Sequence, residues 1–163
     1  VATNYDASDK RTELENYFAE YVDDTNGDGQ IKVSVEYVPL AQDFETKISP
    51  NTEAANIALF MAEMGMGESL YVIADNAAVE EYELRQDFAD FTTKYPENEF
   101  LKPEGLYLDG FDFEEKVGID FADDVFLAIR KPQKGVSYEA KMAENFAAAE
   151  KVFDKFVKIS EKK

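Results

Sequence analysis

Two short runs, Leu70-Tyr-Val-Ile-Ala74 and Val125-Phe-Leu-Ala-Ile129, hold no charged residue. A strand with one wet face alternates apolar and polar side chains, so an unbroken apolar strand has to be covered on both faces. These runs therefore require a sheet buried between two layers. Strands covered in this way most often run parallel, joined by helices.

The rest of the chain supplies helices to cover them. Residues 9–22 place Leu14, Tyr17, Phe18, Tyr21 and Val22 at helical spacing, with Ser8 or Asp9 as cap. Pro50 opens a second helix with Ile57, Phe60, Met61 and Met64 inward, and Gly65 and Gly67 stop it. Asn76 or Asp75 caps a third that runs to Tyr95, before Pro96. Residues 137–159 form a long amphipathic helix through Tyr138, Met142, Phe146, Ala149, Phe153 and Phe156, with a Lys-rich end suited to the helix dipole. Between residues 31 and 37, Ile31, Val33, Val35 and Tyr37 alternate with polar side chains as a strand with one wetter side. Residues 96–124 are irregular, with a short strand at 106–108. The expectation is a single α/β domain over residues 1–163, with a mostly parallel central sheet flanked by helices.

Charge and missing residue types narrow the function. A formal net charge of −18 disfavours nucleic acid and anionic membrane as partners. The chain has no Cys and no His, which removes disulfides, thiolate and histidine catalysis and nearly every zinc or iron site. Oxygen ligands remain, and they suit calcium or magnesium. No apolar run is long enough to span a membrane. The chain begins at Val1 and not at Met, from which we expect an export signal or lipid anchor upstream.

The stretch Asp23-Asp-Thr-Asn-Gly-Asp-Gly-Gln-Ile-Lys32 matches the opening of an EF-hand loop. With Asp24 at loop position one, Asn26 falls at three, Asp28 at five, Gly29 at six and the Gln30 carbonyl at seven. The fit ends at position twelve, where Val35 stands in place of the bidentate Glu, and Glu36 comes one residue late. Two readings stay open: a calcium site completed by a remote carboxylate, and an Asx-rich turn that needs no metal. The liganding positions resemble the helix–loop–strand calcium site of periplasmic galactose/glucose-binding proteins, which implies such a remote ligand.

A longer stretch, residues 31–75 with Ala62-Glu-Met-Gly-Met-Gly67, the run 70–73 and Asp75, resembles the first lobe of extracellular family 1 solute-binding proteins. It also resembles short exported proteins of unknown function from gut Firmicutes, which carry a similar NGDG loop. The resemblance implies a periplasmic-binding-protein-lobe-like fold and an acidic residue, here Asp75, near a ligand cleft. Those proteins have two lobes, and 163 residues suffice for only one.

In a parallel sheet, ligands bind past the carboxyl ends of strands. That points to residues 39–44, Asp75–Asn76 and Arg130–Lys131. Asp75 would meet a ligand hydroxyl there, although its commoner role is a helix cap. Tyr107, Phe111, Phe113 and Phe121 lie among Asp109, Asp112, Asp120, Asp123 and Asp124. Such a mixture suits sugar stacking or the paired carboxylates of a glycosidase, and its commoner role is aromatic anchoring of a surface segment. The expected function is a non-catalytic, exported or cell-surface binding domain with a structural calcium ion at Asp24, Asn26, Asp28 and Gln30. Its partner would be a small polar ligand at Asp75 and Tyr107, or a protein. The alternatives are an interaction domain of a membrane-anchored assembly and a carboxylate-based glycoside hydrolase.

Overall fold

The computed structural model describes residues 8–24, 28–31, 33–35, 38, 50–66, 70–119, 121, 123–132 and 139–160. Among them, four strands form one sheet: β1 (Tyr71–Asp75), β2 (Leu101–Lys102), β3 (Gly105–Tyr107) and β4 (Val125–Ile129), in the order β1-β4-β3-β2. Every neighbouring pair is antiparallel. Ile73 lies opposite Leu127, and Leu127 opposite Leu106. The expected mostly parallel sheet, and with it the solute-binding-lobe arrangement, is therefore corrected. An unbroken apolar strand reports that both faces are covered and carries no information on strand direction.

The alternation along the strands builds two cores. Val125, Leu127, Ile129, Ile73 and Leu106 face one, while Phe126, Ala128, Val72, Ala74 and Tyr107 face the other. The first core is closed by α1 (Arg11–Ala19), α4 (Phe113–Val117) and α5 (Glu139–Ser160). In α5, Ala149, Val152, Phe153, Phe156 and Val157 recur every three or four residues and are buried. Each buried Phe contributes about 2 kcal/mol by leaving water. The second core is closed by α2 (Pro50–Met66) and α3 (Asn76–Glu81), through Phe60, Met64, Ala78 and Val79.

Several expected elements are shifted. A three-residue 3-10 turn precedes α1, and Lys10, not Ser8 or Asp9, stands at its cap position with no side-chain cap bond. The expected strand at 31–37 is not formed by its described residues, Ile31, Val33, Ser34 and Val35; Lys32, Glu36 and Tyr37 lie outside the described residues, as does Gly67. Val35 enters the first core and Val38 the second. The third helix stops at Glu81, well short of Tyr95. Glu83 takes the left-handed conformation at φ 53, and residues 84–87 tighten into a 3-10 turn. Phe88 then bridges Arg130 in antiparallel fashion, extending the sheet beyond β3.

Gly105 permits the close approach of β3 to β4, since a Cβ there would stand 2.5 Å from the Leu127 carbonyl oxygen. Arg130, just past β4, is 1% exposed. Its side chain lies on the Phe126–Ala128 face, and its guanidinium donates to the carbonyl of Glu63 at 3.3 Å and to that of Met64. Those carbonyls belong to the last turn of α2, where the helix dipole is negative and its acceptors lack helical donors. Loss of this bond to a charged donor is expected to cost about 2–3 kcal/mol. Urea unfolding of Arg130→Met, which keeps most of the volume, checks this. Arg130→Lys should lose most of the same amount, because an ammonium lacks the fork that reaches two carbonyls. A loss below about 0.5 kcal/mol in both, within the range of neutral surface changes, would contradict the assignment.

Four tyrosine hydroxyls are held in their neutral form. Burial raises the pKa of Tyr17, helped by Tyr21 and Asp112; burial alone raises that of Tyr71, whose hydroxyl donates to the Ala149 carbonyl at 2.6 Å. Tyr95 and Tyr107 are raised mainly by burial, with Asp154 and Glu104 beside them adding to it. An unfolded tyrosine ionises near pH 10. The stabilisation is therefore complete below about pH 10 and is lost as pH climbs above it, where only the unfolded state releases these protons. Burial opposes the charge on Lys94, but Asp154 and Glu150 outweigh it and raise its pKa, which adds to the loss in the same direction. Unfolding free energies measured from pH 8 to 11.5 should turn downward past pH 10. In Tyr17→Phe the slope should be shallower by up to about 1.4 kcal/mol per pH unit, the value for one proton. An identical slope would contradict the buried neutral hydroxyl.

Candidate functional site

The acidic loop hangs between two anchored ends. On its entry side, Lys155 Nζ of α5 donates to the Tyr21 carbonyl at 2.9 Å and to Asp23 Oδ1 at 2.8 Å. On its exit side, the Val35 amide donates to Glu15 Oε1 of α1 at 3.1 Å, and the Val35 side chain is buried. Within the loop, Gly29 N donates to Asp24 Oδ2 at 2.7 Å and Gln30 N to Asp28 Oδ1 at 2.8 Å. Gly29 has φ 77, so the chain turns sharply at loop position six, as an ion loop needs. An Asx turn without metal uses the same bonds. Each carboxylate offers about four lone-pair sites, so one accepted N–H bond does not bar coordination. Asn26 lies outside the described residues. Val35, at loop position twelve, points into the core, and its side chain has no oxygen to give. Among the described residues, no group of three or more acidic side chains is close enough to hold an ion.

The second candidate site lies at the carboxyl end of β1. Asp75 is 1% exposed, and its Oδ1 accepts from the Ala78 amide at 2.7 Å, which makes it the N-cap of α3. Beside it, the Tyr107 hydroxyl lies 2.8 Å from Glu104 Oε1 and 3.2 Å from Asn76 Oδ1. The structure thus brings the neighbourhoods of Asp75 and Tyr107 together. Glu104, buried at 7% exposure, completes the group and was not singled out in the sequence. Arg85 compensates its charge at 3.4 Å and also approaches Glu80 at 3.8 Å. Lys102 Nζ sits 3.8 Å from the Tyr107 ring centroid and covers that ring with its charge. A shallow depression of about 310 Å³ opens next to this group, lined by Val79, Glu80, Glu83, Arg85 and Gln86.

The aromatic–acidic segment is packed inward. Phe111, Phe113 and Phe121 are buried, with ring centroids 5.6 Å apart for Phe111–Phe113 and 5.5 Å for Phe113–Phe121. Tyr17 of α1 meets Phe113 at 4.5 Å. Asp112 accepts from the Tyr17 hydroxyl at 3.1 Å and pairs with Lys116 at 3.2 Å. Burial opposes the Asp112 charge, but Lys116 and Tyr17 overcome it and hold its pKa below the usual carboxylate range. Asp109 and Asp123 are exposed, and Asp120 lies outside the described residues. Asp154 of α5 is bound by Lys94 at 2.9 Å and by the Tyr95 hydroxyl. Asn98, also buried, donates to the Val157 carbonyl at 3.2 Å and to Ser160 Oγ at 2.9 Å, closing the end of α5.

Of the other expected positions, residues 39–44 lie outside the described residues. Arg130 is turned into the second core, and Lys131 Nζ donates to the Gln86 carbonyl at 3.0 Å. Met64 is buried under α2, while Met61 is 51% exposed on its outer side. Among the described residues, no helix is long and apolar enough to cross a membrane. No protein-family model matches the chain, and no curated protein or solved structure matches it at a significant level.

Proposed function

We propose that this chain is a non-catalytic binding domain that works outside the cytoplasm and recognises a macromolecule. One observation carries the reading: among the described residues, four carboxylates at or near the core are engaged in structural bonds. Asp75 caps α3, Glu104 holds Tyr107 and Arg85, Asp112 holds Tyr17 and Lys116, and Asp154 holds Tyr95 and Lys94. A hydrolase would need two such groups turned toward one cleft with separated pKa values. Small-molecule sites are concave and mostly apolar. The depression beside Arg85 is shallow and rimmed by charge, which favours contact with a larger partner.

The residues of the acidic loop support the extracytoplasmic part of the reading. A loop with the residues of positions one to seven and no carboxylate at twelve would bind weakly, in the range of about 10⁻⁴–10⁻³ M used by extracellular modules. Asp24, Asn26, Asp28 and the Gln30 carbonyl would hold the ion, which would cross-link the loop and take no part in chemistry. In 10 mM calcium, about 10- to 100-fold over such a dissociation constant, binding stabilises by about 1.4–2.7 kcal/mol. The thermal midpoint should then rise by roughly 3 °C or more at matched ionic strength. Asp28→Ala should abolish the rise, and sodium at equal ionic strength should not produce it. An equal shift in Asp28→Ala would contradict the site. A thermal-shift panel of neutral sugars and amino acids should leave the midpoint within about 1 °C. A saturable shift of several degrees that Tyr107→Phe removes would show a small-molecule site and overturn the macromolecular reading.

A further inference from the structure

The depression beside Arg85, about 310 Å³ in volume, opens at the end of α3. It stands at the lower end of the range for ligand pockets, about 300–1,000 Å³, and so admits a single long side chain. Glu83, which lines it, is there against two local preferences. It follows Tyr82, the C-cap residue of α3, and takes the left-handed conformation at φ 53, with its amide donating to the Glu80 carbonyl at 3.4 Å. Glycine, or else asparagine, is the usual residue at that place, because a Cβ is crowded there. A carboxylate is also disfavoured beside the carbonyl end of a helix. Residues held in such conformations cluster at binding and switch sites.

The charges around Glu83 indicate what the depression would take. Arg85 leans toward Glu104 at 3.4 Å and Glu80 at 3.8 Å. Glu104 is buried and accepts from the Tyr107 hydroxyl at 2.8 Å, so the guanidinium is held from behind. Lys102 is placed over the Tyr107 ring. Three carboxylates, Glu80, Glu83 and Glu104, thus stand near two cations, Arg85 and Lys102, and one negative charge is left over. Among the described residues, Glu83 is the carboxylate of the three that has no ion pair. An anion would be repelled here, as it would be by the −18 charge of the whole chain. No group of three or more acidic side chains among the described residues is close enough to hold a metal ion. An ammonium or guanidinium on a side chain brings its own donors and needs one carboxylate opposite it, which complements the depression in both size and charge.

We propose that Glu83 is a binding residue and that the depression beside it receives a Lys or Arg side chain of a partner polypeptide. This proposal rests on the reading of the chain as a macromolecular binding domain and names the chemistry of the contact. The probe is the peptide acetyl-Gly-Ser-Arg-Ser-Gly-amide, titrated into the isotope-labelled full chain at about 0.05 M salt, where surface charges are weakly screened. Its neutral control has citrulline in place of arginine. Saturable shifts of the amide resonances of residues 79–86 are expected with the arginine peptide and not with the citrulline one. The dissociation constant should be on the order of 1 mM, as suits one exposed ion pair. Glu83→Gln keeps the shape and should weaken binding by about threefold or more. Glu83→Gly should weaken it equally, yet raise the thermal midpoint by roughly 2–4 °C, since glycine is at ease in the left-handed conformation. Glu97→Gln, which removes equal charge elsewhere, should leave the affinity within about twofold. Equal affinity for wild type and Glu83→Gln, or no shift at residues 79–86, would overturn the assignment. The same shifts from the citrulline peptide, or from calcium chloride, would overturn it too, in favour of an uncharged ligand or a metal ion. A lower thermal midpoint in Glu83→Gly would remove the argument that the carboxylate is kept at a local cost. These outcomes leave a macromolecular partner elsewhere on the surface; that wider reading fails instead on the neutral-ligand shift that Tyr107→Phe removes.

Discussion

A guanidinium buried at the end of β4 holds the second half of the fold in place. Arg130 sits where the strand has run out of sheet, and it reaches across to the carbonyls that end α2. A lone charge in such a position would be expelled by its cost of desolvation. Here the helix terminus supplies acceptors and a negative dipole end, so charge and helix stabilise one another. The backbone at this point is equally committed: Arg130 N donates to the Leu70 carbonyl at 2.9 Å, and Phe88 bridges from the other side. The end of α2, the start of β1 and the 3-10 turn after α3 thus meet at one residue.

From that junction the two faces of the sheet acquire different characters. The α1–α4–α5 face is thick, aromatic and laced with carboxylate–tyrosine and carboxylate–lysine bonds. The α2–α3 face is thinner, and its outer helix presents alanine, leucine and methionine to solvent. The acidic loop belongs to the thick face, pinned by Lys155 and Glu15. This division sets the side that holds the loop apart from the side that carries α2. Asp75, Glu104, Asp112 and Asp154 hold a helix cap, tyrosines, lysines and an arginine near the core.

The buried strands were legible in the sequence because five apolar residues in a row leave few other structures. Helices α1, α2 and α5 were legible from their spacing, and the pairing of Asp75 with the start of α3 from ordinary capping chemistry. Strand direction was not, since coverage of both faces by helices is compatible with either. The long third helix failed at Tyr82–Glu83: Leu84, Phe88 and Phe91 keep helical spacing, yet Leu84 and Phe88 serve the second core and Phe91 the first. The strand expected at residues 31–37 failed differently: of its described apolar residues only Val35 is buried, while Ile31 is 45% exposed, so the alternation marked no covered strand face. The partners of Arg130 and Glu104 were not legible, since Met64 lies 66 residues from Arg130 and Arg85 meets Glu104 only through tertiary packing. A polar residue directly after a buried strand was the one hint that Arg130 offered.

The central claim is that Arg130 couples α2 to an otherwise self-sufficient sheet. Amide hydrogen exchange resolved along the chain tests it most directly, because local opening and global unfolding separate in that measurement. In Arg130→Met, the amides of α2 should exchange about 10- to 100-fold faster, an opening cheaper by roughly 1.4–2.8 kcal/mol. Those of Val72, Ile73, Phe126 and Leu127 should change markedly less. Uniform acceleration over both regions, or unchanged protection in α2, would contradict the claim.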